Sequence, residues 1–215
     1  MGFDASNGGL PALFTKMNGL PYYPELFTLA FGDPTITEDR VQKALAQFIR
    51  SMESFDSKWD DGVDMFGMGG VGVQLPNLTP AENRGLDLFF QAPNVGGAGC
   101  NSCHRAPTFS LNVNAQGNGL DPGETTVFKS PSLKNVGLTG PYTHDGRFAT
   151  LEEVIEHYDN GVQNGPALDN RLRAGGQPRI LNLTAQQKSD LVAFLHTLSD
   201  PVLTTDARWS DPFCG

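Results

Sequence analysis

Cysteine is scarce in this chain: three among 215 residues. That number excludes a disulfide framework, and with only one closely spaced pair it also leaves no second pair to complete four thiolate ligands around zinc. The odd one, Cys214, reads as incidental, with intermolecular pairing as the alternative. Long apolar runs are missing too, since none approaches the ~20 residues that cross a bilayer. Met1 to Asn7 holds neither a basic nor an apolar stretch, so no secretory signal opens the sequence. Basic residues are outnumbered, 15 Lys and Arg against 24 Asp and Glu, for a net charge of -9. Such a balance argues against nucleic acid and anionic membrane surfaces and favours a basic docking partner. Alternating strand patterns and solenoid repeats are also lacking.

What is there reads as a globular, mostly α chain with long ordered loops. Hydrophobic residues make up 39%, and Gly 25 and Pro 15 break the chain often. Leu10 to Met17 and Tyr23 to Phe31 look like short helices with tight connections. A longer helix is expected from Thr37 to Ser54, capped by Thr37, acidic at its start, with Val41, Leu45, Phe48, Ile49 and Met52 on one stripe. Asp60 to Asn77 is dense in glycine and has no period, so it reads as a linker. Thr79-Pro80-Ala81-Glu82, Thr150 to Glu153 and Thr184 to Gln187 each carry a capping-box pattern. Leu86, Phe89 and Phe90 then follow the first, Leu151, Val154, Ile155 and Tyr158 the second, and Leu191, Phe194, Leu195 and Leu198 the third. Asp200-Pro201 is expected to end the last helix.

Between the first two of these helices stands Cys100-Asn101-Ser102-Cys103-His104. C-x-x-C-H is the attachment signature of a c-type haem. Two thiols at this spacing can each add to one vinyl group of the same porphyrin, and His104 then lies beneath the iron as its proximal ligand. A redox dithiol or half a zinc site would need a βαβ setting or more thiols, and the chain offers neither. The sixth iron position decides between electron transfer and ligand chemistry. Its candidates are Tyr158, His157, His144, His196, Met52, Met65 and Met68. His196 falls off its helix's apolar stripe. His144, in PYTHDG, fits a hydrogen bond at the haem edge or simple exposure. His157 and Tyr158 point roughly 100° apart on a helix, and only Tyr158 shares the face of Leu151 and Val154. From pattern alone Tyr158 is equally a core tyrosine or an iron ligand.

The stretches LTPAENRGLDLFF, CNSCH, FKSPSLKNVGLTGPYTHDGRF, TLEEVIEHYDNG and LTAQQKSDLVAFLHTLSDP, in this order and with AFGD and ALAQFIRSMESFDSKWD upstream, resemble the bacterial dihaem cytochrome c peroxidases and MauG-like proteins. The resemblance implies a helical remnant of the family's N-terminal haem domain over 1–58, a Gly-rich linker over 59–78, a cytochrome c-type haem domain over 79–200 and a tail over 201–215. It implies that this haem, bound by Cys100, Cys103 and His104, passes electrons to a second haem where hydrogen peroxide is cleaved. The position of the distal ligand matches Tyr158, a tyrosine as in MauG-like members. Backbone carbonyls of Thr139 and Pro141 match a family calcium site, and Lys134 is a candidate partner for a haem propionate, as is His144 for the haem edge.

Two departures accompany the resemblance. The family's first C-x-x-C-H is absent, and Met1-Gly2 falls just past the catalytic glutamate of its E-M-G motif. The tryptophan that bridges the haems in the family also lies upstream, so Trp59 does not match it. These features are expected of a chain truncated after the peroxidatic half, with a natural short form as the alternative. The implied partners are the missing N-terminal haem domain or an equivalent redox partner, and a small electron-donor protein or a protein substrate. The implied location is the periplasm or another exported site. A stand-alone monohaem electron carrier, or an open iron site with weak peroxidase activity, are the competing functions.

Overall fold

Three helices open on side-chain caps that the sequence spells out, and the arrangement of the cavity follows from them. A computed structural model describes residues 8–67, 70–110 and 115–210. Thr79 accepts from the Glu82 amide while Glu82 reaches back to the Thr79 amide, and Pro80 sits in the first turn of α5 (Pro80–Phe90). Thr150 with Glu153 does the same for α6 (Leu151–Glu156), and Thr184 with Gln187 for α7 (Ala185–His196). Reciprocal caps satisfy amides that have no partner inside the helix, and so fix the residue at which each helix starts. The fold is mostly α. Its only regular strands among the described residues are a two-residue ribbon, β1 (Arg173–Ala174) against β2 (Gln177–Pro178).

The chain divides into two compact units, Met1–Glu53 and Ser54–Gly215. In the first, α1 (Gly9–Asn18) and α2 (Tyr22–Phe31) bury Met17 and Phe27, together with Ile36 from the segment that follows. The helix read from Thr37 to Ser54 is α3 (Glu38–Ser51), with Thr37 accepting from the Arg40 amide. In the second, α5 and α7 pack most extensively, and α6 packs on α7. Their apolar faces, Leu86, Phe89, Leu191, Phe194, Leu195 and Leu198, form one core with Trp59, Leu75, Leu78 and Phe109. Phe89 and Phe194 meet with ring centroids 5.2 Å apart, a spacing at which aromatic pairs add to simple burial.

Two stretches differ from their reading in the sequence. Part of the expected linker is helical: α4 (Lys58–Phe66) starts at Ser57, whose hydroxyl and Asp60 form another capping box. Trp59, Leu75 and Leu78 are core residues of the second unit. Glycine density conceals this helix, because its short apolar face has no room for a visible period. The Asp200-Pro201 pair does close α7's neighbourhood, but it also opens α8 (Pro201–Thr205), with Asp200 accepting from the Val202 and Leu203 amides. Met68 and Cys214 lie outside the described residues. No described helix is long and apolar enough to cross a membrane.

Helices α5 and α7 approach closely at Gly85. A Cβ built there would stand 2.0 Å from the Asp190 carbonyl oxygen and 2.7 Å from the Phe194 Cβ. Beside it, the Arg84 Nε and Nη2 donate to the two Asp190 carboxylate oxygens at 2.8 Å each. Gly85→Ala should therefore force the helices apart and lower stability by about 1–3 kcal/mol or more. An unchanged urea midpoint would refute this close crossing.

Candidate haem site

The C-terminal end of α5 delivers the attachment loop. The amides of Ala98 and Gly99 donate back to the Leu88 and Gln91 carbonyls at 2.8 and 2.9 Å. Gly99 has φ 66°, and a Cβ there would lie 2.6 Å from Pro93 Cδ, so glycine is required on both conformational and steric grounds. A 3-10 turn, Cys100–Ser102, then brings the His104 amide to the Cys100 carbonyl at 2.9 Å.

The His104 Nδ1 lies 3.2 Å from the Phe109 carbonyl oxygen and 3.1 Å from that of Pro131. Both partners are acceptors, so Nδ1 carries the hydrogen and donates it. Nε2 is thereby the bare nitrogen, the tautomer and orientation that a metal-binding imidazole needs. Burial pushes the His104 pKa below its usual value, which keeps the ring neutral. The carbonyl of Phe109 is itself fixed. Its ring is fully buried against Trp59 at 4.7 Å, its backbone has φ 52°, and its oxygen also accepts from the Leu133 amide.

Cys100 and Cys103 are free thiols. Burial pushes Cys100 up to about 12 and raises Cys103 as well. Reactive redox dithiols have lowered pKa values, so these two do not match that chemistry. Nor do Cys100, Cys103 and His104 converge as a metal cage: no group of three or more His, Cys, Asp or Glu side chains able to hold a metal ion occurs among the described residues.

Two adjoining cavities, of 330 and 450 Å³, lie against the motif. Cys100, His104, Ile155, Tyr158 and Leu191 line both, while Cys103 lines the first alone. Each falls within the range of cofactor pockets, about 300–1,000 Å³. A concave, largely apolar space with two thiols and a bare imidazole nitrogen on its wall fits a covalently held haem.

Tyr158 enters this space from a π-helical turn, His157–Gly161, that continues α6. Such turns are rare and recur at functional sites. Burial holds the Tyr158 phenol up at about 12, opposed by a hydrogen bond with the Asn118 side chain. His157 is directed elsewhere: its buried Nε2 donates to the Asn118 carbonyl at 3.1 Å. The turn is pinned by Asp159, 3% exposed, which accepts from the Leu183 amide at 2.8 Å and pairs with Lys188 at 2.6 Å. Its carbonyl accepts from the Leu181 amide at 2.9 Å.

The other residues singled out from sequence fall as follows. His144 lines the second cavity and stacks on Phe128 with ring centroids 4.1 Å apart. His196 is exposed, as is Met65 at 65%, and Met52 belongs to the first unit. Lys134 is engaged elsewhere. Its side chain is only 10% exposed, it pairs with Asp60, and it lies over the rings of Phe55 and Trp59 at 5.3 and 5.4 Å. It lines neither cavity, because a buried ammonium takes the carboxylate next to it. Thr139 and Pro141 line the second cavity.

Sequence reasoning missed Asp159 with Lys188, and also Asp169, Arg171 and Arg179, which line the first cavity. Arg171 pairs with Asp169 and donates to the Ser102 carbonyl at 2.9 Å, tying the attachment loop to a distant segment. These residues lie in loops or beside a motif, where no period announces a contact.

A family model described as di-haem cytochrome c peroxidase matches residues 4–65. The chain is 29% identical to methylamine utilization protein MauG of Methylorubrum extorquens over 219 residues, covering 94% of this chain and 56% of that protein. It is 38% identical to cytochrome-c peroxidase IdrP1 of Denitromonas iodatirespirans over 255 residues, covering 95% and 62%. A crystal structure of a MauG-like protein associated with microbial copper homeostasis superposes with TM-score 0.72 at 32% identity, covering 94% of this chain and 65% of the other. The chain thus spans less than two thirds of the length of these relatives. Within that span, it belongs to the MauG-like dihaem cytochrome c peroxidase family.

Proposed function

We propose that this chain is the electron-transfer half of a peroxide-dependent oxidoreductase, carrying one c-type haem that exchanges electrons with a peroxide-reducing haem elsewhere. The observation that carries the reading is the His104 ring, whose Nδ1–H is held by two carbonyls so that Nε2 is left free in cavities also lined by the thiols and by Tyr158. When bound, the haem supplies a one-electron ferric/ferrous couple.

The chain's own residues would then do four things. Cys100 and Cys103 would anchor the porphyrin through thioethers, and His104 would supply a nitrogen ligand through Nε2. Tyr158, lining the same cavities, would supply a second ligand to the iron, which suits electron transfer rather than peroxide binding. As a phenolate its negative charge favours the ferric state, more strongly in a buried site than in water. The apolar lining from Ile155 and Leu191 limits water around the couple. Haem c is attached on the exported side of the bacterial membrane, so the periplasm is the proposed location. A calcium ion held partly by the carbonyls of Thr139 and Pro141 would need further ligands from a partner domain.

The direct test is peroxide turnover by the haem-loaded chain, alone and with an upstream haem domain, after pyridine haemochrome analysis has confirmed thioether attachment. Turnover is expected only with the second domain; turnover by the chain alone would overturn the electron-transfer assignment. Tyr158→His should raise the midpoint potential and change the optical spectrum, and an unchanged spectrum would remove Tyr158 as the ligand.

Asp159→Asn keeps an acceptor for the Leu183 amide but loses the charge that Lys188 meets. A hydrogen bond to a charged group contributes about 1.5–3 kcal/mol. The share of molecules with Tyr158 detached should accordingly rise by about tenfold or more. The readout is a high-spin band in the ferric spectrum and faster cyanide binding. Wild-type spectra and wild-type cyanide kinetics in the variant would show that the clamp does not position Tyr158.

A further inference from the structure

We propose that Arg179 receives one of the two carboxylate arms of the porphyrin, giving the first cavity a charge-selective wall in addition to its thiols. The inference rests on the haem assignment above. Three charged side chains line this cavity, Asp169, Arg171 and Arg179. Two of them satisfy each other: Arg171 Nε and Nη2 donate to the Asp169 carboxylate at 2.9 and 2.6 Å. Arg171 Nη1 is committed to the Ser102 carbonyl.

Arg179 is different. It has no carboxylate partner among the described residues. Its Nη2 donates to the Arg173 carbonyl at 2.7 Å, while its Nε is buried without any hydrogen-bond partner. A half-buried guanidinium left in this state beside a mostly apolar cavity is costly unless an anion completes it. The base of the side chain is also held in place, because the Arg179 amide donates to the Leu172 carbonyl at 2.7 Å immediately after β2 pairs with β1. A planar guanidinium fixed at its root is suited to a carboxylate, which it can meet through two parallel N–H bonds.

The chemistry of the cofactor supplies such an anion. A thioether at Cys103 would hold the porphyrin against the cavity that Cys103 and Arg179 both line, and the porphyrin carries two carboxylate arms. Asp169 and Arg171 cancel in charge, so the uncompensated cation on this wall is the one on Arg179.

The test uses the full chain with Cys100→Ser and Cys103→Ser, so that porphyrin binding is reversible. It is titrated with haemin and with haemin dimethyl ester, which has the same ring without free carboxylates. With Arg179 present the diacid should bind about ten- to a hundredfold more tightly than the diester, the range for a charge-assisted hydrogen bond. Arg179→Gln should reduce this preference to about threefold or less while leaving the diester affinity unchanged, which also shows that the variant is folded. Arg179→Lys, keeping charge without the fork, should fall between them. An unchanged preference in Arg179→Gln, with both porphyrins bound, would overturn the Arg179 assignment alone. Failure of the chain to bind either porphyrin would overturn the haem assignment and this one with it.

Discussion

The hydrogen bond from His104 Nδ1 to the backbone carbonyls of Phe109 and Pro131 is the constraint on which the site depends. It selects the tautomer, orients the ring and leaves Nε2 as the one nitrogen able to bind a metal. Neither acceptor is a side chain, so neither can be recognised by residue type. Both are held by the surrounding fold. Phe109 is anchored by its ring among Trp59, Phe89 and Phe194, and the Pro131 segment is tied down where the Ser132 hydroxyl donates to the Thr108 carbonyl. The hydrophobic core thus acts on the site through one strained backbone position, a pattern in which local strain is maintained by the packing around it.

The turn that carries Tyr158 is organised by charge. Asp159 is buried, yet it meets an amide and an ammonium and so carries no unpaired burden. It follows Tyr158 directly, and its partners Leu183 and Lys188 flank the start of α7. The helix that packs on α5 is therefore the helix that positions the tyrosine turn. His104 on the α5 side and Tyr158 on the α7 side are referenced to the same helical pair.

Much of this was legible in the residues. Capping boxes located the starts of α5, α6 and α7, because the cap is a local hydrogen-bond exchange within four residues. C-x-x-C-H named its thiols and its imidazole for a similar reason: the chemistry is confined to five consecutive positions. The helical period separated Tyr158 from His157, and the structure gives His157 its own partner in the Asn118 carbonyl. What escaped were the contacts across long sequence distances. Lys134 meets Asp60 from 74 residues away, and Arg171 reaches Ser102 across 69. No local pattern encodes such pairs, since they arise only when loops of irregular conformation are folded against one another. The helix α4 was hidden for a different reason, its nine residues being too short for periodicity to emerge against glycine-rich surroundings.

Fixed helix starts have an effect on how this domain can change over evolution. Thr184 sets the phase of α7, and Leu191 reaches the cavity seven residues later. A one-residue insertion between them would swing Leu191 by roughly 100° around the helix axis and bring Asp190 to the cavity wall, while a deletion would put the smaller Val192 there. Length variation should therefore collect in the loops between helices, and the spacing from each cap to its lining residue should stay constant wherever the cofactor is kept.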